Sequence, residues 1–229
     1  HVNLQHVNPL HINLTAPILH VKHLQENPRH ALAPHVAKKH NGAYNSSIIQ
    51  NMSFSTVSSY SVSGITATHV TVETHLSPGL PKFTLVGLPE AVVKESKERV
   101  RSALITNQLP FPKQRITINL APADLPKQGG CFDLPIALGI LAAQGVLKQP
   151  DLHPFVFCGE LSLSGKLRPI TGALAMLLVN HKTLILPASQ PECQALPHAK
   201  SCLIASQLLE VIAHLKQQKC LPKTQAYTC

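Results

Sequence analysis

From Met52 onward the sequence predicts an α/β or α+β domain, and three observations carry that prediction. Segments with strand-like and helix-like apolar periods alternate along the chain. Hydrophobic residues make up 44% of 229 positions, enough for a substantial core. Aromatics are only 4%, with no Trp, so that core is built of Leu, Ile, Val and Ala.

The elements follow in order. "SFSTVSSYSVSGITATHVTVETHL" is β-branched and alternating, which predicts two strands joined near Gly64. "SPGLP" is a turn and "KFTLVG" a short third strand. "LPEAVVKESKERVRSALITNQL" reads as a helix, with Pro89 in its first turn, Glu90 near the positive end of its dipole, and an apolar stripe of Val92, Val93, Val100, Ala103 and Leu104. Its other face carries Lys94, Glu95, Lys97, Glu98, Arg99 and Arg101. "RITINL" is a strand. "DLPIALGILAAQGVL" is a buried helix with Asp133 available as its cap and Pro135 in its first turn. "FVFCGELSLSGKLRPI" reads as a hairpin turning near Gly165. A helix at about 171–180, the strand "TLILP", a poorly patterned segment, the strand "SCLIA" and the helix "SQLLEVIAHLKQQ" complete the body. "CLPKTQAYTC" reads as an unstructured tail.

Residues 1–51 are of another kind. They hold eight of the fourteen histidines and show no sustained helical or strand period. A His-rich tract can bind metal, yet neither HExxH nor a Cys/His pair at zinc spacing is present. The expectation is a disordered extension or upstream sequence read into the frame, with Met52 as the natural start and no metal site. The single histidines His69, His75, His153, His181, His198 and His214 form no ligand set.

Composition excludes several classes. No apolar run reaches the roughly 18 residues of a membrane span. Six cysteines without a CxxC pair imply reduced thiols in a cytoplasmic protein. A formal charge of +9 permits contact with polyanions, but no dense basic run concentrates it.

Two stretches imitate a phosphate loop. "KQGGCFD" places its Lys before the glycines and lacks GK[ST]. "GELSLSGKL" has five residues between its glycines instead of four, and Leu167 stands where Ser or Thr would hold magnesium. Neither fits a nucleotide.

Three long motifs in order carry a family resemblance: "GLPKFTLVGLPEAVVKESKERVRSAL", "FPKQRITINLAPADLPKQGGCFDLPIALGILAA" and "GELSLSGKLRPITGAL". From about Met52 to Leu221 the chain resembles the N-terminal domain of the magnesium-chelatase-like AAA+ ATPases, and among them the competence-linked members. The resemblance implies a ribosomal-protein-S5-domain-2-like fold, a mixed sheet packed with helices. That fold is shared with the proteolytic domain of Lon and carries a left-handed βαβ crossover. Residues 52–221 would form the domain and 222–229 the tail.

The Lon likeness supplies a chemical test. Its Ser and Lys dyad would fall at Ile136 of "PIALG" and Ala175 of "TGALA", and neither side chain can attack a carbonyl or accept a proton. Thr171 is the one hydroxyl in those two stretches. No catalytic residue is therefore expected in this chain, and a free-standing hydrolase of the Lon and S5-like superfamily is the alternative. In the "PADLPKQGG" loop, Gly129 and Gly130 allow a tight backbone path and Lys127 is the best candidate for contact with an anion or a partner subunit. Lys94, Lys97 and Arg101, at i, i+3 and i+7, are further candidates for DNA or partner contact, against the plainer reading of a solvated, ion-paired face.

Family members are hexameric motors whose Walker segments follow this domain, and the competence-linked ones are tied to DNA branch migration. The chain reaches Cys229 before such a module, so ATP and Mg are expected only outside it. The expected partners are DNA, further copies of the chain or an AAA+ subunit, with no membrane. "LLVNHKTLILP" is shorter than the family's connection, and "ASQPECQALPHAKSCLIAS" has two prolines where the family has a helix. Both read as drift in a truncated or decaying gene copy.

Overall fold

The computed structural model describes residues 53–192 and 202–224, apart from Leu88, Gln128 and the side chain of Val92. The readings of residues 1–51, of Met52 as a start, of the segment with His198 and of the last five residues lie outside that range.

Strands β1 (Ser53–Ser63) and β2 (Thr66–Ser77) form the expected hairpin, paired in register from Ser53↔Leu76 to Ser63↔Thr66. Strand β3 (Lys82–Val86) leads through helix α1 (Ala91–Thr106) to β4 (Arg115–Ala121). β4 pairs parallel with β3 and antiparallel with β2, giving a mixed sheet of order β1-β2-β4-β3. The anticipated class, a mixed sheet packed with helices, is the one observed.

Helix α2 (Asp133–Ala143) is enclosed within the domain. Every residue in it except Ala142 is buried, because it lies across β1 and β2 and also meets α1. A helix apolar on all sides can be satisfied only by such enclosure. The short helix α3 (Gln149–Leu152) places the Gln149 amide on the free edge of β1. There it accepts from Thr56 N at 3.0 Å and donates to Thr56 O at 2.6 Å, so an edge that could recruit another strand is partly closed.

A second, all-parallel sheet contains β5 (Phe155–Phe157), β8 (Thr183–Pro187) and β9 (Cys202–Ala205) in the order β5-β8-β9. Between β5 and β8 lie a two-stranded hairpin, β6 (Glu160–Leu161) and β7 (Leu167–Arg168), and helix α4 (Ala173–Val179). Helix α5 (Leu208–Leu215) follows β9, and the Glu210 carboxylate accepts from Ser206 N and Gln207 N at its start.

Four expectations need correction. Pro89 precedes α1 and does not sit in its first turn, because Pro89 is bridged to Lys127 and the helix begins at Ala91. Asp133 is the first residue of α2 and makes no cap bond, since its carboxylate is committed to Arg99. The hairpin excludes Phe155–Phe157, whose apolar side chains belong to the parallel sheet, although the turn at Gly165 stands with φ +83°. The tail is anchored at its start: Leu221 is buried, Ile204 N donates to Pro222 O and Thr224 N donates to Cys202 O, extending the edge of β9.

Candidate functional site

Of the concave regions among the described residues, two border residues singled out in the sequence. The first is a cleft of about 550 Å³ at the start of α2, lined by Val62, Gly130, Cys131, Glu160, Thr171 and Met176 among others. Its walls come from three separate elements. Gly172, with φ +83°, turns the chain into α4, and a Cβ there would stand 2.6 Å from Val62 Cγ1. Gly130 similarly makes way for Glu160, whose Oε2 would lie 2.5 Å from an added Cβ. Glu160 is bound at 3.3 Å by Arg168.

Within this cleft the reactive groups are few. Ile136 is fully buried in α2 and Ala175 is buried on α4, and neither lines the cleft. Thr171 is exposed there. The Cys131 thiol reaches Tyr60 O at 3.5 Å, and burial, with Cys158 and Asp133 nearby, pushes its pKa well up, away from a reactive thiolate. Among the described residues no Lys or His lines the cleft, and no group of three or more His, Cys, Asp or Glu gathers to hold a metal ion.

Lys127 has a different place from the one anticipated. Its side chain is fully buried, its ammonium donates to Pro122 O, and its own carbonyl accepts from Glu90 N at 3.2 Å. Burial lowers its pKa while Asp124 acts the other way. A cation held in this manner ties the loop to the entry of α1. The sequence offered Lys127 for contact with an anion or a partner subunit; the structure sets its ammonium against the backbone of its own loop.

Arg99 also departs from its expected place. Counted on the outer face of α1, it turns inward to Asp133, with Nε to Oδ2 at 2.6 Å and Nη2 to Oδ1 at 3.0 Å. Leu161 N adds a third donor to Asp133 at 3.1 Å. Thus α1, α2 and β6 are joined at one carboxylate. Burial raises the Asp133 pKa and the hydrogen bonds from Arg99 and Ser96 only partly offset it. No local pattern marks this pair, because its partners are separated by 34 positions.

The second region is a groove of about 310 Å³ between α1, the start of β3 and the chain before β4. Lys82, Phe83, Lys97, Glu98, Arg101 and Phe111 line it. The Arg101 guanidinium lies over the Phe111 ring at 5.6 Å, and the Phe83 and Phe111 rings are 6.3 Å apart, tilted by 45°. Arg115 is the register partner of Lys82, and Lys113 is exposed beside Pro112. The structure therefore brings Lys97 and Arg101 together in the groove. Lys94 is exposed on α1 without lining it. The aromatic component was not anticipated, although "KF" and "LPFPKQR" placed aromatics among cations.

Mixed sheet, enclosed helix and cleft define the class: an α/β domain built round one buried helix, with solvent reaching the loop at that helix's start. Residues 72–190, just over half of the chain, match the family described as subunit ChlI of Mg-chelatase. The chain belongs to this magnesium-chelatase ChlI family. It is 47% identical over 174 residues to competence protein ComM of Haemophilus influenzae, which covers 75% of the chain and 34% of that protein. It is also 42% identical over 175 residues to the uncharacterized protein YifB of Escherichia coli, covering 75% of the chain and 35% of that protein. A Lon protease from Solibacter usitatus is 29% identical over 130 residues, 54% of the chain and 16% of the protease. The chain spans about one third of the length of the first two relatives.

Proposed function

We propose that this chain is a non-catalytic domain of the ComM type, corresponding to the N-terminal part of an AAA+ protein that acts in DNA branch migration during natural transformation. The carrying observation is the 47% identity to a competence protein across most of the patterned chain. Two further features agree with it. The positions of the Lon-type dyad are filled by buried Ile136 and Ala175, and nucleophilic catalysis needs both an attacking group and a base. The cations on α1 and β3 suit a polyanion. ATP and Mg would act on the ATPase part of such a protein, with DNA, like subunits or an AAA+ partner as the domain's contacts. Among the described residues no helix is long and apolar enough to cross a membrane, and we place the working protein in the cytoplasm.

The test is a titration of a synthetic four-way DNA junction with the chain. Binding that weakens steeply as salt rises is expected. Absence of binding at low salt overturns the proposal. A second reading, a free-standing hydrolase, has the cleft and the exposed Thr171 in its favour. It predicts cleavage of fluorogenic peptides that is lost in Thr171→Ala, whereas the first reading predicts none in either form.

A further inference from the structure

The groove between α1 and β3 combines charge and stacking surface in a way that the cleft does not. Three of its lining side chains are cations, Lys82, Lys97 and Arg101, against one carboxylate, Glu98. Among the described residues no ion pair involves any of the three, whereas Arg99 and Arg168 both have carboxylate partners. A solvated helix face would scatter such charges, but here they border two half-buried phenyl rings. Arg101 is held over Phe111, so a planar cationic surface backed by a ring already faces the groove.

We infer that this groove binds a short segment of single-stranded nucleic acid, with phosphates at Lys82, Lys97 and Arg101 and a base against the Arg101–Phe111 stack. The inference rests on the DNA-handling reading above and deepens it by naming the strand form and the residues. Stacking on an aromatic ring or a guanidinium plane requires an unstacked base, which a duplex does not offer. An acidic peptide would use the cations and leave the rings idle. The rings therefore favour nucleic acid, and stacking with phosphate contacts is tolerant of sequence.

Fluorescence anisotropy of a labelled oligothymidylate with the full chain tests this. Single-strand binding is expected to weaken with salt at a log–log slope near −2, for about three phosphate contacts. Lys97→Glu with Arg101→Glu is expected to weaken binding at least tenfold. Lys216→Glu with Lys219→Glu, the same charge change on exposed lysines at the end of α5, is expected to leave it within twofold. Phe111→Leu keeps an apolar side chain in place and is expected to weaken binding roughly five- to tenfold without changing the salt slope, since stacking and not charge is removed. Circular dichroism melts establish that each variant is folded.

If the wild-type chain binds, but Phe111→Leu binds as tightly, a matched duplex competes equally, or both charge reversals weaken it alike, the groove inference falls while the DNA reading stands. Competition by polyglutamate as effective as by oligothymidylate overturns the inference in favour of an acidic protein partner. No binding by the wild-type chain at low salt overturns both.

Discussion

Asp133 and Arg99 make an unforgiving contact. The Asp133 side chain has no exposure at all, while Arg99 keeps 17%. Removing the arginine leaves a dry carboxylate; removing the carboxylate charge leaves a guanidinium that still reaches water. Arg99→Met is therefore expected to cost about 3–5 kcal/mol and Asp133→Asn about 1–2 kcal/mol in denaturant unfolding at neutral pH. The pH dependence has a definite sign. Because the folded-state pKa of Asp133 is raised, its contribution to stability is present below the unfolded value and lost as pH rises through the folded one. Arg99→Met raises that pKa further, so its deficit should shrink on acidification. A deficit that grows instead would mean that Arg99 does not favour the ionised form of Asp133.

At the scale of elements, the packing of α2 on the hairpin turns on Gly139. Its carbonyl accepts from Ser55 Oγ at 2.7 Å, and an added Cβ would lie 2.5 Å from Thr74 Oγ1. That Thr74 hydroxyl is buried without a hydrogen-bond partner. Gly139→Ala gains about 1 kcal/mol of helix propensity but overpacks the contact by about 1–3 kcal/mol. A net loss is expected for the single variant, and Thr74→Ala should restore it by deleting both the clash and the unsatisfied oxygen. A double-mutant cycle in urea checks this, and additive single effects would refute it. The elements themselves were readable in the sequence because period and turn chemistry are local: β1, β2, α1, β4 and α2 fall where pattern places them. What pattern could not supply was association. Phe155–Phe157 looks like half of a hairpin until Thr183–Pro187 is brought alongside, and a buried Lys127 is indistinguishable by type from an exposed one.

At the scale of the whole molecule, the seam between the two sheets includes a polar contact. Strand β1 meets the end of β5 at Ser59 and Cys158, whose Oγ and Sγ are 3.5 Å apart. Burial pushes the Cys158 thiol from 9.0 up to about 11. A thiol with a raised folded-state pKa contributes stability that is complete below the unfolded value and lost as pH climbs through the folded one. Stability should thus fall by about 2–3 kcal/mol between pH values near 9 and 11. Cys158→Ala should flatten that part of the profile, and an unchanged slope would place the alkaline sensitivity elsewhere. The family was legible in long motifs, but the groove was only half legible, since Lys97 and Arg101 share a helix face while Phe83 and Phe111 arrive from two other segments.

The anchored stretch Leu221–Thr224 has a practical corollary for anyone handling the protein. A tag, fluorophore or fused partner joined at Thr224 would depart from the sheet margin beside β9 and not from the tip of α5. Cutting the chain back to Lys219 to tidy that end would peel away a backbone splint and uncover Leu221's seat.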